Sequence, residues 1–191
     1  MGDAAGEITS SPNVPDSNES FRTSRPDIVG SDVPDAPFPI KLSGPVQHGF
    51  GRGSKDLGCP TANLPDDSLP PMIDAGTGVY YGYAQVTPSD GSSSSLSDQD
   101  VCVLPMVMSF GWNPFYNNKR KTAEIHIMHE FKTDFYGYDM KALVLGYIRQ
   151  ELRYTSREAL IEDIEFDKRV ALKSMARPGY EKYTTDPFFT V

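Results

Sequence analysis

Residues 121–130 read KTAEIHIMHE. Every second position from 123 to 127 is apolar, and such alternation is typical of a β-strand with one buried face. Glu124 and His126 then share the other face, because successive side chains of a strand point to opposite sides. A carboxylate inside such a strand is unusual, so Glu124 is a candidate site residue. It could act as a general base that accepts a hydroxyl proton, or it could be an exposed glutamate paired with Lys121 or Arg120.

The rest of the chain predicts further strands and one late helix. Segments rich in β-branched or aromatic residues are the predicted strands 40–48, 79–86, 101–110 and 142–149. The polar, Ser-rich run 87–100 is predicted to be a hairpin loop. Thr155-Ser156-Arg157-Glu158 is a capping-box pattern that starts a helix, and Arg177-Pro178-Gly179 ends it. The apolar face of this helix comprises Leu160, Ile161, Ile164, Ala171 and Met175. Strands followed by one helix predict a mainly β fold, a small barrel or sandwich with the helix packed on it.

Composition limits the domain organisation and the function. The chain has 191 residues and a formal net charge of -8, and residues 1–37 contain seven acidic and two basic residues. The remainder is nearly balanced, so it has no broad basic face for nucleic acid. Residues 1–36 are rich in Ser, Pro, Asp and Gly, which predicts a disordered tail before one domain at 37–191.

The expected location is the cytoplasm, with targeting to an organelle left open. The chain has two cysteines, too few for a disulfide framework, which favours a reducing compartment. It has no apolar run of the length that a membrane span requires and no secretory signal at its N-terminus. The expected form is a monomer that binds neither nucleic acid nor a membrane.

Residues 51–63, GRGSKDLGCPTAN, are a candidate anion-binding segment. They match neither a Walker A loop nor a dinucleotide fingerprint, because the order of Ser and Lys and the spacing of the glycines differ. The segment could be a glycine-rich flap whose amides approach a polyphosphate beside Lys55, or an ordinary surface turn. Thr61 and Asn63 are two residues apart, so in an extended segment both side chains point the same way. Their oxygens could bind Mg²⁺, or they could form turn hydrogen bonds near Pro65.

Two further patterns could belong to a site. His126 and His129 suggest zinc, but no third or fourth ligand is spaced near them, so a zinc site there is not expected. Residues 110–116, FGWNPFY, form an aromatic cluster that could lie in the core or border a planar ligand. From this segment alone, core packing is the expectation.

These stretches, in this order, resemble the eukaryotic riboflavin kinases. The matching segments are Gly49-Phe50-Gly51-Arg52-Gly53-Ser54-Lys55, Pro60-Thr61-Ala62-Asn63, Gly78-Val79-Tyr80-Tyr81-Gly82, Gly111-Trp112-Asn113-Pro114, Glu124-Ile125-His126-Ile127-Met128-His129 and Asp134-Phe135-Tyr136-Gly137. The resemblance implies a six-stranded antiparallel Greek-key β-barrel with a C-terminal helix, and a reaction in which ATP and riboflavin give ADP and FMN. Bifunctional bacterial relatives make FAD with a preceding nucleotidyltransferase domain. Only 37 residues precede Phe38, so FAD synthesis is not expected.

The resemblance also implies a role for each matching position. Glu124 matches the catalytic carboxylate. The implied ATP-binding residues are Gly49, Lys55, Thr61, Asn63, Ile127, His129 and Tyr136. Thr61 and Asn63 are also the implied metal ligands, for Mg²⁺ or, in its place, Zn²⁺ or another divalent ion. Arg149 and Tyr154 match flavin-binding positions. Leu152 stands where animal relatives have a lysine, so no flavin role is expected for it.

Two other functions are compatible with the same barrel. A non-catalytic flavin- or nucleotide-binding module could lose Glu124, Thr61 or Asn63 without harm, whereas this chain keeps all three, which favours the enzyme. A phosphotransferase could also act on another hydroxyl substrate. The match at Arg149 and Tyr154 makes riboflavin the first choice.

Overall fold

The structure, a computed structural model, describes residues 22–48, 59–89, 95–112, 120–152, 154 and 156–190. Within them the β-strands are β1 (Ile40–Pro45), β2 (Ala62–Asn63), β3 (Gly78–Thr87), β4 (Leu104–Trp112), β5 (Lys121–Ile127) and β6 (Asp139–Arg149). Helices α1 (Arg157–Met175) and α2 (Pro178–Glu181) follow. Short 3-10 helices span Asp66–Ser68, Pro70–Ala75, Lys182–Thr185 and Pro187–Phe189.

The strands form one antiparallel sheet in the order β1-β6-β3-β4-β5-β2. β3, β4 and β5 are consecutive neighbours, and β6 returns to lie beside β3, which is the Greek-key arrangement. Just after β1 the chain reaches the opposite edge of the sheet, where the Gln47 N–H donates to the Asn63 carbonyl at 2.8 Å. The sheet therefore curls toward a barrel. The predicted mainly β, antiparallel Greek-key fold with a C-terminal helix is confirmed.

Alternation along the strands produces two apolar layers. The largest inward-pointing side chains fill the barrel and are fully buried: Tyr80, Met106, Met108, Phe110, Ile125 and Met140. On the outer face, Tyr81, Val107 and Leu143 pack against Ala171 and Met175 of α1. Because each layer removes its apolar side chains from water, burial on both faces stabilises the sheet and fixes α1 against it.

Four strand ends differ by three residues from the sequence-based prediction. β1 ends at Pro45 and β6 begins at Asp139, each three residues earlier than predicted. β4 begins at Leu104, three residues later than predicted, because the chain before it makes a turn in which the Asp100 N–H donates to the Ser97 carbonyl at 3.0 Å. β5 ends at Ile127, three residues earlier than predicted. The His129 N–H donates back to the Ile127 carbonyl at 2.8 Å, and this tight turn ends the strand.

Helix α1 begins one residue later than the capping-box pattern implied. Ser156 is the N-cap, and its Oγ accepts a hydrogen bond from the Ala159 N–H at 3.1 Å. The predicted capping residue, Thr155, lies outside the described residues. The helix ends at Met175, just before Arg177-Pro178-Gly179, as predicted. No helix in the described ranges combines the length and the apolar composition needed to cross a membrane.

Residues 22–36 lie along α1 and α2, in contrast to the disordered tail predicted for residues 1–36. The Val29 N–H donates to Ser174 Oγ at 3.0 Å, and the Arg177 guanidinium donates to the Gly30 carbonyl at 2.8 Å. Polar contacts, rather than a large apolar surface, hold this segment, and for that reason its composition predicted disorder. Residues 1–21 lie outside the described residues.

Candidate active site

The strand register places five residues in one row across the outer face of the barrel. Val79 of β3 pairs with Arg149 of β6 on one side and with Ser109 of β4 on the other. Ser109 pairs in turn with Glu124 of β5, and Glu124 with Asn63 of β2. Paired residues on adjacent strands have side chains on the same face, with strands about 4.8 Å apart. Glu124 therefore lies between a predicted flavin-binding residue and a predicted metal ligand.

A first cleft of about 440 Å³ lies between this row and the N-terminal half of α1. Glu124, Arg149 and Tyr154 all line it, so the predicted catalytic carboxylate and both predicted flavin-binding residues face one cavity. The apolar side chains that line it include Val79, Val107, Leu152, Leu160 and Ile164. A mostly apolar cleft with a few polar groups is suited to a flat organic ligand.

A second cleft of about 700 Å³ lies at the end of β5. Ile127, His129 and Tyr136, three of the predicted ATP-binding residues, line it. Thr61 and His126 line both clefts. The two clefts therefore adjoin at the outer face of β5 and the segment leading into β2, next to Glu124. Two ligands, one in each cleft, would meet at Thr61.

The Asn63 side chain is buried without a protein partner among the described residues. It is 5% exposed, and neither Oδ1 nor Nδ2 has a hydrogen bond there. A buried amide left in this state costs about 1–3 kcal/mol. Such a cost is common at sites where a ligand completes the hydrogen bonds or the coordination. Asn63 lines neither cleft but is two residues from Thr61, which lines both, so an unsatisfied amide lies close to the point where the clefts adjoin.

The two histidines of β5 and its following turn contact protein groups. His126 Nδ1 donates to the Pro60 carbonyl at 2.8 Å, and burial lowers the pKa of His126. His129 Nε2 donates to Asp100 Oδ1 at 2.7 Å. In the ranges that the structure describes, no group of three or more His, Cys, Asp or Glu residues is arranged to hold a metal ion.

His129 is oriented by a carboxylate from the chain before β4. Asp100 is 7% exposed and accepts hydrogen bonds from the Ser97 N–H and Oγ, both at 2.7 Å, in addition to that from His129. Hydrogen bonds from Ser97 and His129 lower the pKa of Asp100 to about 2, so the carboxylate is ionised at neutral pH. The His129 ring is thereby fixed at the wall of the second cleft.

Arg149 and Tyr154 are held by acidic residues of α1. Arg149 forms a bidentate ion pair with Asp167, with Nε–Oδ1 at 2.9 Å and Nη2–Oδ2 at 2.6 Å. Both side chains are 4% exposed. Arg149 Nη2 also donates to the Tyr154 hydroxyl at 3.0 Å, and burial raises the pKa of Tyr154 to about 12. The apolar pattern of α1 gave no sign that Asp167 is buried.

A family model described as "Flavokinase: Riboflavin kinase" matches residues 36–175. A riboflavin kinase of Meyerozyma guilliermondii is 44% identical over 179 residues, which cover 85% of this chain and 98% of that protein. A riboflavin kinase of Pyricularia oryzae is 52% identical over 164 residues, 83% of this chain and 82% of that protein. The chain belongs to the riboflavin kinase family.

A solved structure agrees with this membership. The riboflavin kinase from Trypanosoma brucei matches the fold with a TM-score of 0.65 at 28% sequence identity, covering 82% of this chain and 92% of that one. The fold and the family that the resemblance implied are both confirmed. In this member of the riboflavin kinase family, Arg25 and Val29 contact α1 although they precede the span that matches the family model.

Sequence reasoning missed one side chain of the first cleft, Glu151, and wrongly assigned another, Trp112, to the core. Glu151 lines the cleft, and its carboxyl group covers Gly111 so closely that a Cβ there would lie 2.1 Å from Oε1. Burial raises the pKa of Glu151, although a hydrogen bond with Ser109 opposes this. Trp112 is 50% exposed and lines the cleft, so the expectation of core packing is wrong for it, whereas Phe110 is buried in the core as expected.

The alternative role for Glu124, a surface ion pair, finds little support in the positions of its neighbours. Arg120 forms an ion pair with Asp66 at 3.0 Å, and Lys121 Nζ lies about 5.3 Å from the Phe110 ring centroid. Two predicted ATP-binding residues, Gly49 and Lys55, lie outside the described residues.

Proposed function

We propose that this protein transfers the γ-phosphoryl group of ATP to the 5′-hydroxyl of riboflavin and releases FMN and ADP. The proposal follows from its membership of the riboflavin kinase family. The observation that supports it best is the position of Glu124, in the first cleft and directly beside the point where the second cleft adjoins it. Phosphoryl transfer needs this arrangement, because acceptor and donor must be brought together in line.

In this proposal riboflavin occupies the first cleft. The apolar walls of β3, β4 and α1 would cover the isoalloxazine ring, with Arg149 and Tyr154 at one end of the cleft. The register row runs from Arg149 to Glu124 over three strand spacings, about 14 Å. That distance suits a ligand whose ring lies near Arg149 and whose ribityl chain ends near Glu124.

ATP would occupy the second cleft, whose described walls include Ile127, His129 and Tyr136. Tyr136 stacks on His48, with ring centroids 3.5 Å apart, and the Asp100 carboxylate fixes His129. These rigid side chains can bind the nucleotide without losing much side-chain entropy. The terminal phosphate would then lie at Thr61, where the clefts adjoin. Gly49 and Lys55 would contact the phosphates from the preceding segment.

The residues present fit a divalent metal ion. Thr61 and Asn63 offer a hydroxyl and a carbonyl oxygen two residues apart, and the Asn63 amide is buried without a described protein partner. Mg²⁺ accepts such hard, neutral oxygens when phosphates and water complete its coordination. We propose that Thr61 and Asn63 hold Mg²⁺, with Zn²⁺ or another divalent ion as the alternative. When bound, the ion neutralises charge on the phosphates.

Glu124 is the proposed general base. Its carboxylate accepts the proton of the ribityl 5′-hydroxyl as the oxygen bonds to the γ-phosphorus and the bond to the ADP oxygen breaks. Ser109 lies beside Glu124 on β4, but the Ser109 side chain hydrogen-bonds with Glu151. The protein therefore contributes mainly the placement of both reactants and one proton acceptor.

We further propose that the catalytic domain spans residues 37–191 and acts as a cytoplasmic monomer. The residues that line the two clefts all lie between 59 and 172, within this span. Cys59 and Cys102 are both free, which is compatible with a reducing compartment.

Replacing Asn63 by Leu tests the metal site, because the two side chains have similar volumes. We expect the free energy of unfolding to stay the same or to rise by about 1 kcal/mol, since the substitution removes an unsatisfied buried amide. Affinity for Mg-ATP should fall by more than about tenfold, the size typical of disrupting a metal site. Urea unfolding and calorimetric titration with Mg-ATP and with riboflavin measure the two effects.

Thr61→Ala is the companion variant, and it should also weaken Mg-ATP more than riboflavin. Equal losses of affinity for the two ligands in either variant would argue against the metal site. A large loss of stability in Asn63→Leu would mean that the amide has a structural role instead.

Incubating the protein with riboflavin, ATP and Mg²⁺, followed by chromatography of the flavins, tests the proposed function. The expected product is FMN, formed at a rate that depends on both ATP and Mg²⁺. Riboflavin that binds but is recovered unchanged would favour the non-catalytic module instead.

A further inference from the structure

We propose that Arg22 and Arg25, in the segment that precedes β1, position the side chains that bind the flavin. Both guanidinium groups bond to the carboxylate of Asp163 in α1: Arg25 Nη1 lies 2.6 Å from Oδ1, and Arg22 Nη2 lies 3.1 Å from Oδ2. The inference rests on the proposed function, because it assigns the two arginines to the flavin site of that enzyme. Neither arginine lines the first cleft, so both act through other side chains and are positioning residues.

Asp163 depends on these two arginines for its charge. Its side chain is 0% exposed, while those of Arg25 and Arg22 are 8% and 26% exposed. Burial by itself would raise the pKa of Asp163, but hydrogen bonds from Arg22, Arg25 and Tyr154 outweigh it, so the pKa is lowered. The Arg25 guanidinium also lies 3.7 Å from the ring centroid of Phe166, which fixes its orientation.

Asp163 connects directly to the proposed flavin-binding pair. It hydrogen-bonds with Tyr154, whose hydroxyl accepts from Arg149 Nη2 at 3.0 Å. Arg22 also lies over the Tyr154 ring, with its Cζ 6.0 Å from the centroid. One turn along α1 from Asp163, Asp167 accepts hydrogen bonds from Nε and Nη2 of the same Arg149 guanidinium. The chain of contacts thus runs from the N-terminal segment to the first cleft without a gap.

Charge balance explains why the arginines would affect the cleft. Asp163 and Asp167 are four residues apart on the same helix face, and like charges at that spacing repel. With Arg22 and Arg25 in place, their positive charges balance the negative charge of Asp163. Of the two carboxylates, Arg149 then pairs only with Asp167. Without them, Asp163 would be a buried carboxylate with no cation of its own and would compete with Asp167 for Arg149. Arg149 and Tyr154 would then leave the positions that face the cleft.

A second ion pair between the same segment and α1 serves as a control. Lys173 Nζ pairs with Asp27, and these side chains are 51% and 65% exposed. Lys173 is ten residues beyond Asp163, about 15 Å along the helix. An exposed ion pair contributes little to stability. Neither Lys173 nor Asp27 lines the first cleft. Lys173→Gln therefore removes an anchor of the segment without disturbing the charges around Tyr154.

Arg25→Gln in the full-length chain is the test. Riboflavin binding is followed by the change in flavin fluorescence without ATP, and steady-state kinetics give the KM for each substrate. We expect the riboflavin Kd to rise about tenfold or more, as when a partner that orients a binding group is lost. The KM for ATP should stay within about twofold of the unsubstituted protein, and Arg25→Lys should recover most of the riboflavin affinity. Lys173→Gln should leave both constants unchanged.

Asp163→Asn in the Arg25→Gln background separates charge from simple anchoring. Because only the more exposed Arg22 still pairs with Asp163 in that background, removing the carboxylate charge should restore riboflavin affinity toward the original value. An unchanged riboflavin Kd in Arg25→Gln, or an equal rise in both KM values, would overturn the proposal. If Arg25→Gln fails to fold, the more exposed Arg22→Gln supplies the same comparison. Failure of the unsubstituted protein to make FMN would count against the proposed function, whereas the fluorescence titration would still test the arginines.

Discussion

Glu124→Gln should lower the turnover number for FMN formation by ~10²-fold or more, because glutamine cannot accept the hydroxyl proton. The substitution is nearly isosteric, and Glu124 lines the first cleft without belonging to the barrel core. Folding and the affinities for riboflavin and Mg-ATP should therefore be retained. Single-turnover kinetics with both substrates saturating, together with separate binding titrations, measure these quantities.

Glu151→Gln is the matched comparison for that variant. Glu151 presents a second carboxyl group to the same cleft, but its side chain bonds with Ser109. Its substitution should lower turnover by less than about tenfold, since it removes a neighbouring carboxyl group but not the proton acceptor. Near-normal turnover in Glu124→Gln would contradict the general-base assignment. Equal losses in the two variants would mean that the carboxyl groups act through their combined charge rather than through one proton transfer.

Asp167→Asn should cause the largest loss of stability. It leaves the Arg149 guanidinium buried without its paired carboxylate, and breaking a buried ion pair from one side costs about 3–5 kcal/mol. The free energy of unfolding, measured by urea denaturation at neutral pH, should fall by that amount. Riboflavin affinity should fall as well, because Arg149 loses the contact that orients it.

The double variant Arg149→Met with Asp167→Leu is the control for this prediction. Replacing both charged partners by apolar side chains removes the unpaired charge, so most of the stability should return. Riboflavin affinity should not return, because Arg149 is absent. A loss below about 1 kcal/mol in Asp167→Asn would show that water reaches the guanidinium and that the ion pair is not the buried contact described above.

Much of the fold could be predicted from local patterns. The alternation in residues 121–130 identified β5 and the outward position of Glu124, and the stop at Arg177-Pro178-Gly179 marked the end of α1 correctly. β2 escaped prediction because two residues are too few for a periodic signal. The register that aligns Asn63 with Glu124 is a long-range property, and no local pattern specifies it.

The supporting contacts of the site were less predictable for a related reason. Asp163 and Asp167 look like ordinary polar residues of a surface helix, yet both are buried, and each pairs with an arginine from outside that helix. Asp100 orients His129 across 29 residues of sequence. Polar partners of this kind depend on which elements meet in three dimensions. For the same reason, composition wrongly predicted disorder for residues 22–36.

We propose that the two clefts bring riboflavin and ATP to one point beside Glu124. A structure of the complex with riboflavin, Mg²⁺ and a non-hydrolysable ATP analogue tests it most directly. We expect a Glu124 carboxylate oxygen to lie about 2.6–3.2 Å from the ribityl 5′-oxygen, with that oxygen in line with the γ-phosphorus. A 5′-hydroxyl bound instead to Glu151, or a nucleotide whose γ-phosphate lies away from Thr61, would contradict it.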